Sequence, residues 1–155
     1  MNHPYTFKEL TTTSEMIEQL SIIQQLQPSL TLEAYKQMLP EMIPNGYSQV
    51  IILDDNPPSS KKDFGGQSKC IGISGIWINT KLYSGKYLEM DNVVIDKDYR
   101  SKGIGKLLCD WCINKAKETN CKNIMLDAYL ENEKAHAFYE REGFTKRGYH
   151  FIKNI

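Results

Sequence analysis

The sequence predicts one α/β domain over residues 1–155, in which a mixed β-sheet is covered by helices. Segments with the alternating or β-branched pattern of strands and segments of helical periodicity follow one another along the chain, in the order β-α-α-β-β-β-α-β-α-β. A chain of 155 residues can bury the core of one domain without disulfides or structural metals. Strands that alternate with helices in this way pack as a sheet with helices on its faces.

The first elements are a strand and a pair of helices. Tyr5–Leu10 is short and alternating, which is typical of a strand. Thr12 and Glu15 form a capping box at the start of a helix that is expected to reach Leu26. A second helix is predicted from a Thr31 cap through Leu39, since threonine is a good N-cap and Pro40 and Pro44 are expected to end the helix.

Three strands are predicted next. Tyr47–Leu53 and Cys70–Ile78 are rich in β-branched residues and bracket a long polar loop with proline, glycine and charge, so they form a hairpin with an extended tip. Tyr87–Ile95 is the third of these strands.

The second half alternates between helix and strand. Helical periodicity predicts helices over Gly103–Glu118 and Asn132–Glu142. Strands are expected over Asn123–Tyr129 and Phe144–Ile152.

Composition excludes several classes of protein. Lysine plus arginine equals aspartate plus glutamate at 19 each, so the chain has no basic field for nucleic acid or an anionic membrane. No apolar run approaches the ~20 residues of a membrane span, and the N-terminal residues lack an apolar signal core. A cytoplasmic protein with reduced cysteines is therefore expected. Cys109 and Cys112 have the spacing of a zinc pair, but no second pair completes four ligands, so core packing is the better explanation.

The segment between the predicted strand Tyr87–Ile95 and the following helix gives the clearest indication of function. Amides at a helix start have no intrahelical partner and lie at the positive end of the helix dipole, so they can bind a polyphosphate. Gly103 and Gly105 have no Cβ to hold an anion away, and Arg100 and Lys102 add full charge. The expected main-chain donors are Ser101, Lys102, Gly103, Ile104, Gly105 and Lys106.

Spacing excludes two other glycine-rich phosphate loops. A dinucleotide fingerprint requires a third glycine where this chain has Leu108. A P-loop requires glycine at Arg100 and serine or threonine at Leu107.

A second motif follows about thirty residues later, in the segment from Asn132 to Phe144. Ala135, Phe138 and Tyr139 lie on one helical stripe, and Gly143 can end the helix. Together, Arg-x-x-Gly-x-Gly and Asn-x-x-Ala-x-x-Phe-Tyr-x-x-x-Gly-Phe resemble the two motifs of the GNAT acyltransferase superfamily.

The resemblance implies a fold, a cosubstrate and an activity. The fold is a mixed, mostly antiparallel sheet of six or seven strands with about four helices. Acetyl-CoA is the implied cosubstrate, and the implied reaction is acetyl transfer to a primary amine of a small molecule. Within the superfamily the C-terminal part is most similar to aminoalkylphosphonate N-acetyltransferases and less similar to polyamine acetyltransferases.

The resemblance also assigns cofactor contacts. The main chain of the strand before the loop would bind pantetheine, with an amide near Val93 or Val94 holding the thioester oxygen. Further cofactor contacts are implied for Arg100 and the amides named above, and also for Ile95, Asn132, Ala135 and Tyr139. For Asn132, a helix N-cap explains the residue equally well.

Catalytic roles follow the same resemblance. An alkylammonium with a pKa of about 10 must lose a proton before it attacks a thioester. Asp91 matches the strand position of the catalytic glutamate in several relatives, with an intervening water expected because aspartate is shorter. Glu89 would lie on the same face unless a bulge separates the two. Tyr139 matches the general acid for the leaving thiolate.

Direct attack by the amine is expected, because the cysteines lack a partner base and two are predicted to be packed. His136 and His150 remain candidates for binding a metal or an acidic group. An amine pocket lined by aromatic residues is a further hypothesis, with the candidates Tyr35, Tyr47, Trp77, Tyr129 and Tyr149.

Three other functions stay open at this point. They are a lysine or N-terminal acetyltransferase of proteins or peptides, a non-catalytic acyl-CoA sensor, and a zinc-dependent interaction domain. The expected partner is a small-molecule amine, and homodimerisation is left open.

Overall fold

A computed structural model describes residues 4–58 and 68–155. Within them, ten strands and helices follow one another along the chain. They are β1 (Tyr5–Leu10), α1 (Thr13–Ile17), α2 (Leu20–Ile23), α3 (Leu32–Met42), β2 (Tyr47–Asp54), β3 (Lys69–Lys81), β4 (Gly85–Ile95), α4 (Ile104–Glu118), β5 (Asn123–Leu126) and α5 (Glu133–Arg141). Short 3-10 helices occur at Ile43–Asn45 and Lys97–Tyr99. Most of the predicted hairpin tip lies outside the described residues.

The described strands form one sheet in the order β1-β2-β3-β4-β5. The first three pairs are antiparallel, and β4 pairs in parallel with β5. Helix α4 makes the connection that a parallel pair requires. The mixed, mostly antiparallel sheet is confirmed. The expected six or seven strands are wrong for the described residues, which contain five.

The missing strand is the one predicted over Phe144–Ile152. This segment has no strand assignment, and the side chains of Tyr149 and Phe151 are 73% and 96% exposed. Suitable residue types are only half of what a strand needs, because its backbone must also find a hydrogen-bonded neighbour. Strand β5 is also shorter than predicted and ends at Leu126.

The N-terminal helices differ from the prediction as well, so that residues 4–58 and 68–155 contain five α-helices where about four were expected. The first predicted helix is divided into α1 and α2 because the amide of Gln19 bonds Met16 O, three residues back, and tightens the turn. Helix α3 continues past Pro40, since the missing amide costs one bond near the helix end while Leu39 stays fully buried. The Thr12 cap is confirmed: its hydroxyl accepts from the amide of Glu15 at 3.4 Å.

Apolar side chains bury both faces of the sheet. The face covered by α4 and α5, here called the α4 face, includes the buried residues Val50, Ile52, Ile71, Ile76, Leu88, Met90, Leu108 and Cys112. The face covered by the N-terminal helices, here called the α1–α3 face, includes Leu10, Met16, Ile22, Tyr35, Leu39, Tyr47, Ile51, Ile73 and Val94. Strand β4, which contains the predicted catalytic carboxylates and the predicted pantetheine-binding residues, lies between these two layers.

Candidate active site

Strand β4 contains a β-bulge in the middle of the predicted site. Asp91 pairs with Gly75 and Val94 pairs with Ile73, so two residues of β4 stand opposite one residue of β3. Asn92 in the bulge has a φ of +48°, which is the left-handed region that asparagine tolerates. Below the bulge the pairing is regular, with Glu89 opposite Trp77. Glu89 and Asp91 therefore share the α1–α3 face, as the sequence predicted for an unbroken segment.

Beyond the bulge, β4 loses its neighbour on one side. The parallel ladder to β5 ends at the pair of Met90 and Leu126. In the part of the chain that the structure describes, residues 91–95 pair with β3 alone. The main chain of Val93, Val94 and Ile95 thus lies beside a gap in the sheet, where Ile95 O accepts from Arg100 Nε at 3.3 Å.

The start of α4 presents its amides without a side-chain cap. Gly103 is the N-cap, with a φ of +79°, and a Cβ built on it would meet no atom within 4 Å. The amide of Leu107 makes the first helical bond, to Gly103 O at 3.2 Å. The three amides between these residues have no partner within the helix. Space, helix polarity and free donors suit an anion here.

The cations around this helix start are not equivalent. Arg100 is exposed, and its Nε donates to Ile95 O at 3.3 Å; Lys102 is exposed, and its Nζ donates to Asp98 O at 2.9 Å. Both keep donors for a ligand. The ammonium of Lys106 is held 3.0 Å from the Asp110 carboxylate, so its charge is already paired.

Gly105 has a packing role that the sequence did not predict, and its contact with the cofactor stays a prediction. A Cβ on Gly105 would lie 3.2 Å from Cζ of Phe138. The absence of a side chain therefore allows α5 to pack closely against α4.

Tyr139 lies on the α4 face, within a group of aromatic rings. Its ring makes edge contacts with Phe138 and Phe144 at centroid distances of 5.1 and 5.6 Å. Burial raises the pKa of Tyr139 above its ordinary value, and the nearby thiols of Cys109 and Cys112 add to the shift. The phenol keeps its proton at neutral pH.

Two other predicted cofactor residues have a structural explanation. Oδ1 of Asn132 accepts from the amide of Ala135 at 3.1 Å, which caps α5. Their contact with the cofactor stays a prediction.

The two strand carboxylates have different surroundings. Trp77 Nε1 donates to Asp91 Oδ2 at 3.1 Å. Burial raises the pKa of Glu89, and the neighbouring carboxylates of Asp127 and Asp91 raise it further. Asp127, which directly follows β5, is a member of this group that the sequence reasoning missed. The predicted strand Asn123–Tyr129 placed Asp127 inside the strand, so no sequence signal indicated it.

The aromatic candidates separate into two sets. Tyr35 and Tyr47 line a cavity of about 190 Å³ on the α1–α3 face. Trp77 stacks against Tyr47 with ring centroids 4.8 Å apart. Tyr129 and Tyr149 are exposed and do not join them. Gln49, which also lines the cavity, carries no sequence motif and was missed.

The cysteines and histidines form no second reactive centre in the described residues. Burial raises the pKa of Cys109 and Cys112 to about 12, so both remain thiols. His136 Nε2 lies 2.9 Å from Tyr129 O, and His150 lies 3.3 Å from Asp127. Residues 4–58 and 68–155 contain no cluster of three side chains able to hold a metal ion. No helix among them has the length and apolar character needed to cross a bilayer.

Comparison with known proteins agrees with this geometry. The acetyltransferase (GNAT) family matches residues 30–144, and the chain belongs to that family. It is 26% identical to the uncharacterized N-acetyltransferase YhdJ of Bacillus subtilis (strain 168) over 149 residues, covering 96% of this chain and 97% of the relative.

Two solved structures share the fold. Glucosamine-6-phosphate N-acetyltransferase from Arabidopsis thaliana has a TM-score of 0.65 and 22% identity, with 96% of this chain and 98% of that one covered. Aminoglycoside N-acetyltransferase AAC(6')-Iy, solved with CoA, has a TM-score of 0.75 and 14% identity, with 100% and 98% covered.

The protein is therefore an acyltransferase, and its cosubstrate is acetyl-CoA. The residues present fit that molecule, because the gap beside β4 suits an extended chain and the uncapped start of α4 suits a diphosphate.

Proposed function

We propose that this protein transfers the acetyl group of acetyl-CoA to the primary amine of a small molecule by direct attack. The observation that carries the proposal is the bulge in β4. Two carboxylates lie on one face of the regular segment before the bulge, and the main chain beyond the bulge has no partner in β5. A base and a thioester-binding edge thereby lie next to each other.

The chain would hold acetyl-CoA at two places, and the cosubstrate supplies an activated acetyl thioester. The amides from Ser101 to Lys106, with the side chains of Arg100 and Lys102, would bind the diphosphate. The main chain of β4 from Val93 to Ile95 would bind the pantetheine. An amide near Val93 or Val94 would donate to the carbonyl oxygen where negative charge develops.

A carboxylate on the α1–α3 face would take the proton from the ammonium. Asp91 was the first candidate from the sequence, but its carboxylate already accepts from the Trp77 indole. The raised pKa of Glu89 makes it a stronger base than an ordinary glutamate. We assign proton removal to Glu89, directly or through one water, and ammonium binding to Asp91.

Tyr139 would return a proton to the leaving thiolate. Tyr139 lies on the α4 face and Glu89 lies on the α1–α3 face, so the acid and the base are on opposite faces of the sheet. Nucleophile and leaving group separate in that way when an amine displaces a thiol. A phenol that stays protonated can donate as the carbon–sulfur bond breaks.

Direct attack is favoured over a covalent acetyl-enzyme. A nucleophilic cysteine needs a depressed pKa and access to solvent. Cys109 and Cys112 are buried, and burial raises their pKa values.

The test is thiol release from acetyl-CoA in the presence of a panel of primary amines, with the acetylated product identified by mass spectrometry. We expect stoichiometric thiol and amide with at least one small amine. Tight calorimetric binding of acetyl-CoA without release for any amine would contradict catalysis and support a sensor.

A further inference from the structure

The turn that follows α2, residues 24–27 and here called the α2 turn, is firmly anchored. Ile22 and Ile23 of α2 are buried in the core of the α1–α3 face. The amide of Leu26 donates to Ile23 O at 3.0 Å, and the amide of Gln27 donates to the same oxygen at 2.9 Å. The α2 turn is therefore a fixed support, from which two glutamine side chains reach β4 and the residues directly after it.

Gln25 is the first of these glutamines, and it holds the chain where β4 ends. Its Nε2 donates to Asp96 Oδ2 at 3.3 Å, and its Oε1 accepts from the amide of Lys97 at 3.0 Å. The buried Asp96 carboxylate also pairs with Lys69 at 3.0 Å and accepts from the amide of Asp98 at 3.0 Å. These bonds define the 3-10 helix that leads to the start of α4, so Gln25 fixes the path of the chain into the proposed diphosphate site.

One proposed diphosphate ligand depends on this 3-10 helix. Lys102 Nζ donates to Asp98 O at 2.9 Å and lies 5.0 Å from the centroid of the Tyr99 ring. The amide of Tyr99 in turn donates to Asp96 O at 2.8 Å. An ammonium over an aromatic face is attracted by the negative potential of the ring. A shift of the 3-10 helix would therefore move the Lys102 charge together with the chain that leads into α4.

Gln27 is the second glutamine, and it reaches the bulge in β4. Its Nε2 donates to Asn92 Oδ1 at 2.6 Å. Asn92 has a left-handed φ of +48°, and a conformation of that kind persists where its surroundings hold it in place. The next residue is Val93, whose amide is one of the two proposed to bind the thioester oxygen. Gln27 therefore supports the backbone conformation that directs this amide.

We propose that Gln25 and Gln27 are positioning residues that fix the two places where the chain holds acetyl-CoA. Gln25 acts at the diphosphate end through Asp96 and Lys97, and Gln27 acts at the thioester end through Asn92. Because both glutamines lie on the α2 turn, one anchored support sets the distance between the two ends. This inference rests on the acetyl-CoA sites proposed above and adds the residues that position them.

Loss of the Gln25 bonds should weaken the binding of acetyl-CoA. Gln25→Met keeps the length of the side chain and removes both bonds. If only a fraction of the molecules then has the loop in place, the apparent Kd rises by the inverse of that fraction. We expect the KM and the calorimetric Kd for acetyl-CoA to rise by about three- to tenfold, with kcat changed by less than about twofold.

Loss of the Gln27 bond should instead slow the reaction. An amide directed at the thioester oxygen contributes most when negative charge develops there, in the transition state. We expect Gln27→Met to lower kcat by about tenfold, with the KM for acetyl-CoA changed by less than about twofold.

The test measures kcat and KM with acetyl-CoA and with S-acetylpantetheine, which lacks the diphosphate, using the best amine from the thiol-release panel. Gln25→Met should impair the reaction of acetyl-CoA and leave that of S-acetylpantetheine unchanged, whereas a merely structural defect would impair both. Gln27→Met should impair both donors equally. Gln19→Met is the matched control, because Gln19 precedes α2 and its Nε2 donates to Glu15 O at 3.5 Å, away from β4. Gln25 and Gln27 are exposed, so the variants should fold, and alanine variants at both positions give the same comparison.

Two results would refute the proposal directly. They are a Gln25 variant that binds acetyl-CoA as tightly as the wild type, and a Gln27 variant with wild-type kcat. If Arg100→Ala combined with Lys102→Ala raises the KM while the Gln25 variants do not, this inference fails and the proposed diphosphate site stands. If none of these variants changes the KM, that site is wrong as well. Absence of thiol release by the wild type with every amine would refute the proposed function and the role of Gln27, and calorimetry would still decide the role of Gln25.

Discussion

Removal of the Tyr99 hydroxyl, which lies shortly before the start of α4, should lower the stability of the protein. Tyr99 is 5% exposed, and its hydroxyl donates to Asp54 Oδ2 at 2.7 Å. The bond ties the 3-10 helix before Arg100 to the end of β2. In Tyr99→Phe the buried carboxylate keeps, among the described residues, the amide of Asn56 as its one hydrogen-bond donor, at 2.9 Å.

The magnitude follows from the kind of bond. Hydrogen bonds to charged groups contribute about 1.5–3 kcal/mol, and the ring of Tyr99 stays in place, so no cavity term is added. We expect the free energy of unfolding to fall by about 2 kcal/mol. For a domain of this size that corresponds to a decrease in Tm of about 4–8 °C.

Urea denaturation followed by circular dichroism measures this change. The midpoint should fall with an unchanged m-value. Tyr83→Phe is the matched control, because Tyr83 is 78% exposed and should change stability by less than about 0.5 kcal/mol. If both variants unfold at the same urea concentration, the bond between Tyr99 and Asp54 contributes nothing and the reasoning is wrong.

Three further variants test the proposed chemistry. Glu89→Gln should lower kcat/KM by about 10² or more. The wild-type kcat/KM should rise with pH through the raised pKa of Glu89, and this rise should be absent from the variant. An identical pH profile in both enzymes would exclude Glu89 as the base. Arg100→Ala combined with Lys102→Ala should raise the KM for acetyl-CoA with kcat little changed, since charges on the diphosphate act in ground and transition states alike; an unchanged KM would contradict their role. Tyr139→Phe should lower kcat, and wild-type turnover would show that the proton comes from elsewhere.

The sequence was most informative where a residue type is required by local geometry. Gly103 was predicted to begin a helix, and it occupies the left-handed N-cap position of α4. Helical spacing placed Phe138 and Tyr139 on one stripe, and both pack on the α4 face. Such features depend on a few neighbouring residues and can therefore be predicted from the sequence.

Features set by distant partners were missed or, in the case of the C-terminal segment, wrongly predicted. Gly105 serves the packing of Phe138, which lies more than thirty positions along the chain. The C-terminal segment was predicted to be a strand, but no described strand pairs with it. Gln49 has no motif, and its position in the candidate site depends on two tyrosines and a cavity that only folding brings together.

The bulge at Asn92 makes the length of β4 as important as its composition. Because side chains alternate along a strand, the extra residue reverses which face each later side chain takes. Deleting Asn92 would leave every other residue type intact yet turn Val93 and Val94 over, or else rotate Glu89 and Asp91 out of the acceptor side. A single-codon deletion at this point should therefore either expose the buried side chain of Val94 or misplace the two carboxylates, although it removes no charged residue.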